Sequence, residues 1–235
     1  MSTTAETAPE TDQPEADQPV PRGAAVTSGG LGLRTRRGWV FRDVDLDIAP
    51  GELVAVTGPS GSGRTSLLLA VAGRFTVSHG SLTVADLPLP AHARRVQRLA
   101  GLGYAPGAHE PEPALTALEH VTERMALLGL GGWWPARRRS AARKALRTSP
   151  YHGGPATLGR DLSPYQRHLL GLALAQLTEP RLVVVDDLDV GTDSAERAAL
   201  WAELRQLAEG GTTVLAACRE TDSEVDQVVH LKGDA

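Results

Sequence analysis

The chain has 235 residues, with 24 Lys and Arg against 28 Asp and Glu, so its formal net charge is −4. This length suffices for one substantial core, or for one domain with a small insert. No stretch approaches the roughly 18 apolar residues of a membrane span, and the first residues lack the basic and apolar regions of a signal peptide. The single cysteine, Cys218, cannot form an internal disulfide, which favours the cytosol.

Charge is distributed unevenly at the start of the chain. Residues 1–22 contain five acids and one base, a net charge of −4, so residues 23–235 balance to zero. We predict a disordered acidic tail over residues 1–28, because large apolar side chains are nearly absent there. The tail is either a solubilising extension, which we favour, or a docking arm. A neutral globular part gives no reason to expect a nucleic-acid partner.

The first predicted elements are two short strands over residues 31–34 and 43–48, whose apolar alternation is typical of antiparallel pairing. A turn at Pro50 leads to a buried strand over residues 53–56, and a helix is predicted over residues 67–72.

A glycine-rich loop separates that strand from that helix. It matches G-x-x-x-x-G-K-[ST] at every position but one, because Arg64 replaces the lysine. Backbone N–H groups that curl inward at the start of a helix bind phosphate, so the loop predicts nucleotide binding with Thr65 as a Mg²⁺ ligand. Arginine is bulkier than lysine, which predicts altered positioning of the γ-phosphate. The alternative is a strand-to-helix turn that binds nothing. The candidate nucleotide-binding residues are Gly58, Pro59, Ser60, Gly61, Ser62, Gly63, Arg64, Thr65 and Ser66.

Strands and helices continue to alternate along the rest of the chain, which predicts an α/β fold with a mostly parallel sheet. Ser163 and Pro164 have the N-cap and N1 preferences of a helix start. A basic segment, residues 124–160, contains eight cations and no acid. The predicted strands are 81–85, 102–105, 181–185, 212–217 and 228–231, and the predicted helices are 91–100, 116–128, 135–147, 163–177 and 194–207.

Two acids, Asp186 and Asp187, directly follow the apolar run that ends in Val-Val-Val. Ligands bind beyond the carboxyl ends of parallel strands, so Asp186 is a candidate Mg²⁺ ligand. Asp187 can face the γ-phosphate and its attacking water. The alternative for Asp187 is a solvated turn acid.

Residues 31–235 resemble the ATP-binding cassette family, the nucleotide-binding subunits of ABC transporters. Leu-Ser-Pro-Tyr-Gln at 162–166 resembles that family's L-S-G-G-Q signature, and residues 186–193 resemble its D-E-P-x-x-x-L-D segment, with Asp193 as the last acid. The resemblance implies a P-loop NTPase core, an antiparallel β subdomain and a helical subdomain over about 108–165, within one domain over 29–235. It also implies ATP and Mg²⁺ as cofactors, and nucleotide contacts from Ser163 and Gln166.

The same resemblance implies partners and a location. Such a cassette pairs with itself or with another cassette, and it acts on separate transmembrane permease subunits. We therefore expect a cytoplasmic protein that is peripheral on the inner face of the cell membrane.

Several positions depart from the family pattern, and they cluster around the γ-phosphate. The resemblance assigns the catalytic positions to Asp187 and Arg219, where the family has glutamate and the switch histidine. Because phosphoryl transfer depends on positioning and charge, we expect binding to be retained and hydrolysis to be slow. The alternatives are an ordinary transporter ATPase, a non-hydrolysing regulatory or structural cassette, and a P-loop protein outside transport. The other departures are Arg64, Gly107 for the Q-loop glutamine, and Pro164 and Tyr165 for the signature glycines.

The tryptophans leave two questions open. Trp39 and Thr35 align equally well with the family residue that stacks on adenine, and the alternative for Trp39 is an ordinary core or surface tryptophan. Trp133 and Trp134 precede the basic helix, where they either face a membrane partner or are buried beneath an ordinary solvated helix. The eight cations of this segment could also lie close to anionic lipid headgroups.

Overall fold

The computed structural model describes residues 22–221 and 223–233, which form two sheets and six α-helices. The antiparallel sheet has the order β2-β1-β4-β5, and the second sheet has the order β6-β7-β8-β3-β9 with every pairing parallel. The strands are β1 (Val26–Thr35), β2 (Gly38–Ile48), β3 (Leu53–Thr57), β4 (His79–Val84), β5 (Leu87–Leu89), β6 (Ala100–Leu102), β7 (Leu182–Val185), β8 (Thr213–Ala217) and β9 (Gln227–His230).

Capping signals in the sequence set several helix starts. Three helices open with a complete capping box, in which the N-cap side chain and the N3 side chain each bond the other's backbone N–H. A fourth begins with Pro135 at its first position. The helices are α1 (Arg64–Val71), α2 (Ala93–Leu99), α3 (Ala117–Leu127), α4 (Pro135–Thr148), α5 (Pro164–Ala175) and α6 (Ser194–Glu209).

Strands β3, β6, β7 and β8 of the parallel sheet are buried on both faces, which explains their nearly continuous apolar sequences, whereas the edge strand β9 is partly exposed. Alternate residues of β3 enter two different cores: Val54 and Val56 pack with α1 and the antiparallel sheet, whereas Leu53 and Ala55 pack with α3, α5 and α6. This sandwich holds the carboxyl ends of β3 and β7 at one edge, where the predicted site lies. The predicted α/β class, with its parallel and antiparallel sheets, is confirmed.

The folded part begins earlier than the sequence predicted. β1 starts at Val26, and Ala24 is fully buried, with its N–H bonded to the carbonyl oxygen of Arg181 and the hydroxyl of Thr213. The boundary at residue 28 was therefore wrong, because short apolar residues at 24–26 are enough to add a strand edge to an existing sheet. The remainder of the predicted tail, residues 1–21, lies outside the described residues.

Other boundaries shift by a few residues. β5, only three residues long, was not predicted, and the strand predicted over 102–105 is β6, because Ala100 pairs with Leu182 in the parallel ladder. In the predicted helical subdomain, α3 and α4 pack against each other. Within the described ranges, no helix is both long and apolar enough to cross a lipid bilayer.

Candidate functional site

The loop between β3 and α1 has backbone angles that require glycine. Gly58 and Gly63 have φ values of +147° and +88°. A Cβ on Gly58 would lie 2.4 Å from the Leu231 carbonyl oxygen, and one on Gly63 would lie 2.7 Å from Cγ1 of Val40. Gly61, at φ +83°, has no heavy atom within 4 Å of its Cβ position, so it faces open space. The loop is therefore fixed on its inner side and open at Gly61.

Two buried polar atoms of this loop have no hydrogen-bond partner among the described residues. They are the Ser62 hydroxyl oxygen and one guanidinium nitrogen, Nη1, of Arg64. Unsatisfied buried donors cost free energy, and in native structures such atoms usually await a ligand, an ion or water. Both are donors at the start of a helix, so the residues present fit a phosphate group.

A hydroxyl and a carboxylate meet beside the loop. Thr65 donates its hydroxyl hydrogen to Asp186 Oδ2 at 2.5 Å, and Asp186 Oδ1 accepts from the Asp187 backbone N–H at 2.9 Å. Asp186 is 2% exposed, and this burial raises the pKa of its carboxyl, which the Thr65 hydrogen bond opposes. Oxygen ligands of this kind suit Mg²⁺. No group of three or more His, Cys, Asp or Glu in the described part could hold a metal, so an ion here would also use phosphate and water oxygens.

The departures at positions 64 and 187 contact each other. Nη2 of Arg64 lies 3.4 Å from Asp187 Oδ1, with side chains that are 8% and 27% exposed. Asp187 has a φ of +46°, a left-handed conformation in which Asp and Asn are enriched. Nη2 of the Arg64 guanidinium therefore contacts a carboxylate, whereas Nη1 has no hydrogen-bond partner among the described residues.

The side chains of the signature-like residues Ser163 and Gln166 form hydrogen bonds at the start of their own helix. Ser163 Oγ accepts from the Gln166 N–H at 3.2 Å, and the Gln166 side-chain oxygen accepts from the Ser163 N–H at 3.0 Å. Pro164 packs on Gly191, where an added Cβ would lie 2.8 Å from Pro164 Cγ. Asp193 caps α6 by accepting from the Glu196 N–H. No hydrogen bond in the part of the chain that the structure describes joins Ser163 or Gln166 to the loop of residues 58–66.

Arg219 lies next to the loop through its backbone. Its carbonyl oxygen accepts from the Gly58 N–H at 3.2 Å, and its own N–H donates to Asp189 Oδ2 at 3.2 Å. The Arg219 side chain is exposed, and it lines a cavity of about 420 Å³ together with Thr57, Gly58, Pro59, Glu220, Thr221, Val228 and His230. A charged side chain is thus available at the edge of the phosphate loop.

The two residues considered for adenine stacking have local partners. The Trp39 ring packs against His79, with 4.7 Å between centroids, and under the Arg34 guanidinium. The Thr35 hydroxyl accepts from the Arg37 N–H and donates to the Gly38 carbonyl oxygen in the β1–β2 turn. The β2 residues that lie against the loop are Val40 and Phe41, because a Cβ added to Gly63 would lie 2.7 Å from Val40 Cγ1 and 2.8 Å from Phe41 Cδ1.

One buried residue behind the acids was missed by sequence reasoning. His168 of α5 is fully buried, and its ring meets Tyr104 edge-on at 4.8 Å. Burial lowers the pKa of His168 to about 4, against the opposing effects of the Asp187 backbone and the Asp189 charge. The sequence feature that predicts its burial as a neutral imidazole is the run of apolar residues that follows it in α5.

Comparison with known proteins identifies the family. Residues 41–189 match the family model described as ABC transporter, which is more than half of the chain, so the chain belongs to this family. A cytochrome c biogenesis ATP-binding export protein of Bordetella parapertussis is 35% identical over 215 residues, which cover 86% of this chain and 90% of that protein. A putative ABC transporter ATP-binding protein of Streptomyces avermitilis is 32% identical over 207 residues, covering 87% of this chain and 36% of that protein.

Other relatives are longer than the matched region. The Nod factor export ATP-binding protein I of Cupriavidus pinatubonensis is 29% identical over 176 residues, which cover 75% of this chain and 53% of that protein. The chain thus spans about half the length of that relative.

Solved structures establish the cassette fold. A dimeric ATP-binding cassette, bound to ADP and phosphate in a post-hydrolysis state, superposes with a TM-score of 0.75 at 20% identity, over 89% of this chain and 97% of that one. A putative ABC transporter ATP-binding protein from Pyrococcus furiosus gives a TM-score of 0.70 at 18% identity, over 88% and 97%. The predicted P-loop cassette fold is confirmed.

Proposed function

We propose that this chain is the ATP-binding subunit of a transporter, that it binds Mg-ATP at the loop of residues 58–66 and at Asp186, and that it couples the nucleotide state to a separate permease. The observation that carries the proposal is the pair of buried, unsatisfied donors, Ser62 and Arg64, inside a loop that only glycine can form. The matched relatives are named as ATP-binding proteins of export systems, which supports the same function.

Each residue of the loop has a defined task in this proposal. The backbone N–H groups and the Ser62 hydroxyl hold phosphate oxygens, and Arg64 donates to the terminal phosphates. Thr65 and Asp186 would hold Mg²⁺, which neutralises phosphate charge when it is bound. Because a hydroxyl keeps two lone pairs while it donates its hydrogen, Thr65 could bind the ion and still donate to Asp186.

Hydrolysis is expected to be slow for a reason visible at the site. Asp187 would accept a proton from the attacking water, but its carboxylate is paired with Arg64 and is one methylene shorter than glutamate. Arg219 would contact the terminal phosphate as a cation. Loss of one preorganised donor typically costs about 10²–10³ in rate, and losses within one catalytic unit are not additive.

The proposed assembly is a pair of cassettes beneath a membrane-spanning partner. Ser163 and Gln166 cap their own helix and do not bond to the loop of their own chain, which leaves the Ser163 O–H and the Gln166 amide N–H free for nucleotide on a second cassette. The partner is this chain or a related one, and the location is the cytoplasmic face of the cell membrane.

A second candidate function is a cassette that binds ATP without hydrolysing it and serves as a regulatory or structural partner. The Arg64–Asp187 contact supports it, because it removes a free carboxylate from the position of the attacking water. The two functions differ in ATP turnover and agree on binding.

The binding proposal is tested by thermal unfolding with and without Mg-ATP. A ligand at 100 Kd stabilises the folded state by about 2.7 kcal/mol, which raises the Tm by several degrees. Gly61→Asp should abolish this shift through repulsion of phosphate, whereas Gly61→Asn, with the same backbone strain and no charge, should keep a reduced shift. Gly61 suits the test because its Cβ position is open, unlike that of Gly63. No shift at millimolar Mg-ATP, or equal shifts in both variants, contradicts the proposal.

Turnover separates the two candidate functions. We expect well below one turnover per second for the lone protein, against an enzyme median of roughly 10 s⁻¹. A restored variant, Arg64→Lys with Asp187→Glu and Arg219→His, should hydrolyse ATP faster if the deficit is chemical. Fast release of phosphate by the unchanged protein refutes slow hydrolysis, and absence of turnover even with the permease favours the non-hydrolysing cassette.

A further inference from the structure

The outer face of α4 is a continuous band of positive charge. Helix periodicity places Ala142 and Leu146 on the inner face, where both are buried against α3 and neighbouring residues. The helix contains no acid, and the cations on its exposed side are Arg137, Arg139, Arg143, Lys144 and Arg147. We call these five residues the α4 basic face.

The α4 basic face is not neutralised within the described part of the chain. The ion pairs found there are Arg64–Asp187, Arg160–Asp161 and Arg205–Asp226, none of which involves α4. The pKa of Glu119 in α3 is lowered mainly by hydrogen bonds from Thr116 and only in small part by Arg139. Arg143, Lys144 and Arg147 therefore present unpaired charge to the outside.

Two exposed tryptophans sit at the start of this helix. Trp133 is 88% exposed and Trp134 is 67% exposed, and Leu127 at the end of α3 is 75% exposed. The alternative in which the tryptophans belong to the core is therefore wrong. Exposed aromatic side chains of this size have no role in the packing of the chain itself, and a cluster of them marks an interaction surface.

We propose that Trp133, Trp134 and the α4 basic face together bind the surface of an anionic lipid bilayer directly. Tryptophan is favoured at the headgroup level of membranes, where its ring is apolar and its N–H remains wet. Basic side chains near anionic headgroups gain from the negative surface potential. Helix α4, with five exposed cations and no acid, complements the negative potential of the membrane surface along its whole length. A partner protein would need a matching acidic groove to bind the same surface. The globular part is neutral overall, so this attraction is local to α4 and not a property of the net charge.

Binding to protein-free vesicles tests the proposal on the full chain. We expect co-sedimentation with phosphatidylglycerol vesicles and not with phosphatidylcholine vesicles, with binding that weakens as salt is raised. Arg143→Gln, Lys144→Gln and Arg147→Gln, combined in one variant, should weaken binding about 100-fold, because each cation near the surface contributes roughly 1 kcal/mol. The matched control replaces three exposed arginines of another helix, Arg94, Arg95 and Arg98 of α2, by Gln and should bind as the unchanged protein does.

Tryptophan fluorescence gives a second, independent readout. Trp201 is buried and Trp39 packs against His79, so a blue shift on adding anionic vesicles should come from Trp133 and Trp134. The shift should vanish in Trp133→Ala/Trp134→Ala while thermal unfolding stays unchanged, because both side chains are exposed.

Three outcomes overturn the proposal. They are no binding to anionic vesicles at low salt, equal losses in the α4 variant and the α2 control, and a tryptophan pair whose removal leaves vesicle binding intact. If vesicles do not bind but the α4 variant fails to co-purify with the permease, the surface binds a protein and not lipid. None of these results bears on Mg-ATP binding, which is measured separately by thermal shift.

Discussion

Replacement of Asp187 by Asn should tighten Mg-ATP binding about tenfold, even though Asp187 is a proposed catalytic residue. The Arg64 guanidinium lies 3.4 Å from the Asp187 carboxylate and is 8% exposed, so in the nucleotide-free protein it is committed to that contact. For Arg64 to donate fully to terminal phosphates, the contact must open. The free energy of the contact is therefore subtracted from the free energy of nucleotide binding.

The size of the gain follows from the geometry of the pair. Hydrogen bonds to charged groups contribute about 1.5–3 kcal/mol net. The 3.4 Å separation is long and Asp187 is 27% exposed, so the lower limit applies, and about 1.4 kcal/mol corresponds to a factor of ten in Kd. Asn tolerates the left-handed φ of +46° at this position, so the fold should be retained.

Calorimetric titration of four proteins isolates this effect: the unchanged chain, Asp187→Asn, Arg64→Gln and the double variant. The tenfold gain should appear when Arg64 is present and disappear when it is Gln. Asp86→Asn is the matched control, because Asp86 is exposed and also left-handed, at φ +60°. An equal gain in both backgrounds would mean that Asp187 only repels phosphate, and no gain at all would mean that the pair does not compete with nucleotide.

Two further predictions concern stability. Burial lowers the pKa of His168 from 6.5 to about 4, so its contribution to stability is present above pH 6.5 and is lost as the pH falls toward 4. Between pH 7 and pH 5 the free energy of unfolding should therefore fall by about 2 kcal/mol. His168→Gln should remove this pH dependence in urea titrations at the two pH values. Gly191→Ala should lower the free energy of unfolding by about 1–3 kcal/mol in the same assay, since Gly191 has a φ of +74° and its Cβ would lie 2.8 Å from Pro164 Cγ. Gly107→Ala is the control, because Gly107 has a similar φ but open space around its Cβ position, and it therefore measures the backbone strain without the contact.

The phosphate loop and the acids after β7 could be predicted because both depend on local sequence. A buried strand, a glycine spacing and a helix start occupy about fifteen consecutive residues, and their geometry follows from short-range sterics. The Ser163 cap was predicted on the same basis. Gln166, at the third position of the helix, completes that cap as a capping box.

Features that depend on tertiary contact could not be predicted in the same way. Arg64 and Asp187 are 123 residues apart, and only the packing of β3 beside β8 and β7 brings the ends of their elements together. The exposure of Trp133 and Trp134 was equally undetermined, because an aromatic pair before a helix is compatible with either face. The β1 start at Val26 was missed because Val-Thr-Ser-Gly-Gly has no alternation, and its pairing partners supply the stability.

The contact between Arg64 and Asp187, two departures from the family pattern, also affects the charge of the neighbouring Asp186. Asp187 raises the pKa of Asp186 and Arg64 lowers it, both behind the larger effect of burial. Arg64 thus supports ionisation of the proposed metal ligand as well as pairing with its neighbour. Loss of the cation leaves the hydrogen bonds from Thr65 and from the Asp187 backbone N–H as the effects that still lower the pKa of Asp186, and it shifts Asp186 toward protonation.

For this reason Arg64→Gln should weaken Mg²⁺-dependent nucleotide binding most strongly at low pH. Asp186 then takes up a proton at a higher pH than in the unchanged protein, and a protonated carboxyl cannot serve as a metal ligand. The ratio of Mg-ATP affinities, Arg64→Gln to unchanged protein, should therefore fall as the pH is lowered, whereas Arg64→Lys, which keeps the charge, should hold the ratio constant. A pH-independent ratio for Arg64→Gln would show that Arg64 acts on the phosphates alone and that Asp186 does not depend on its charge.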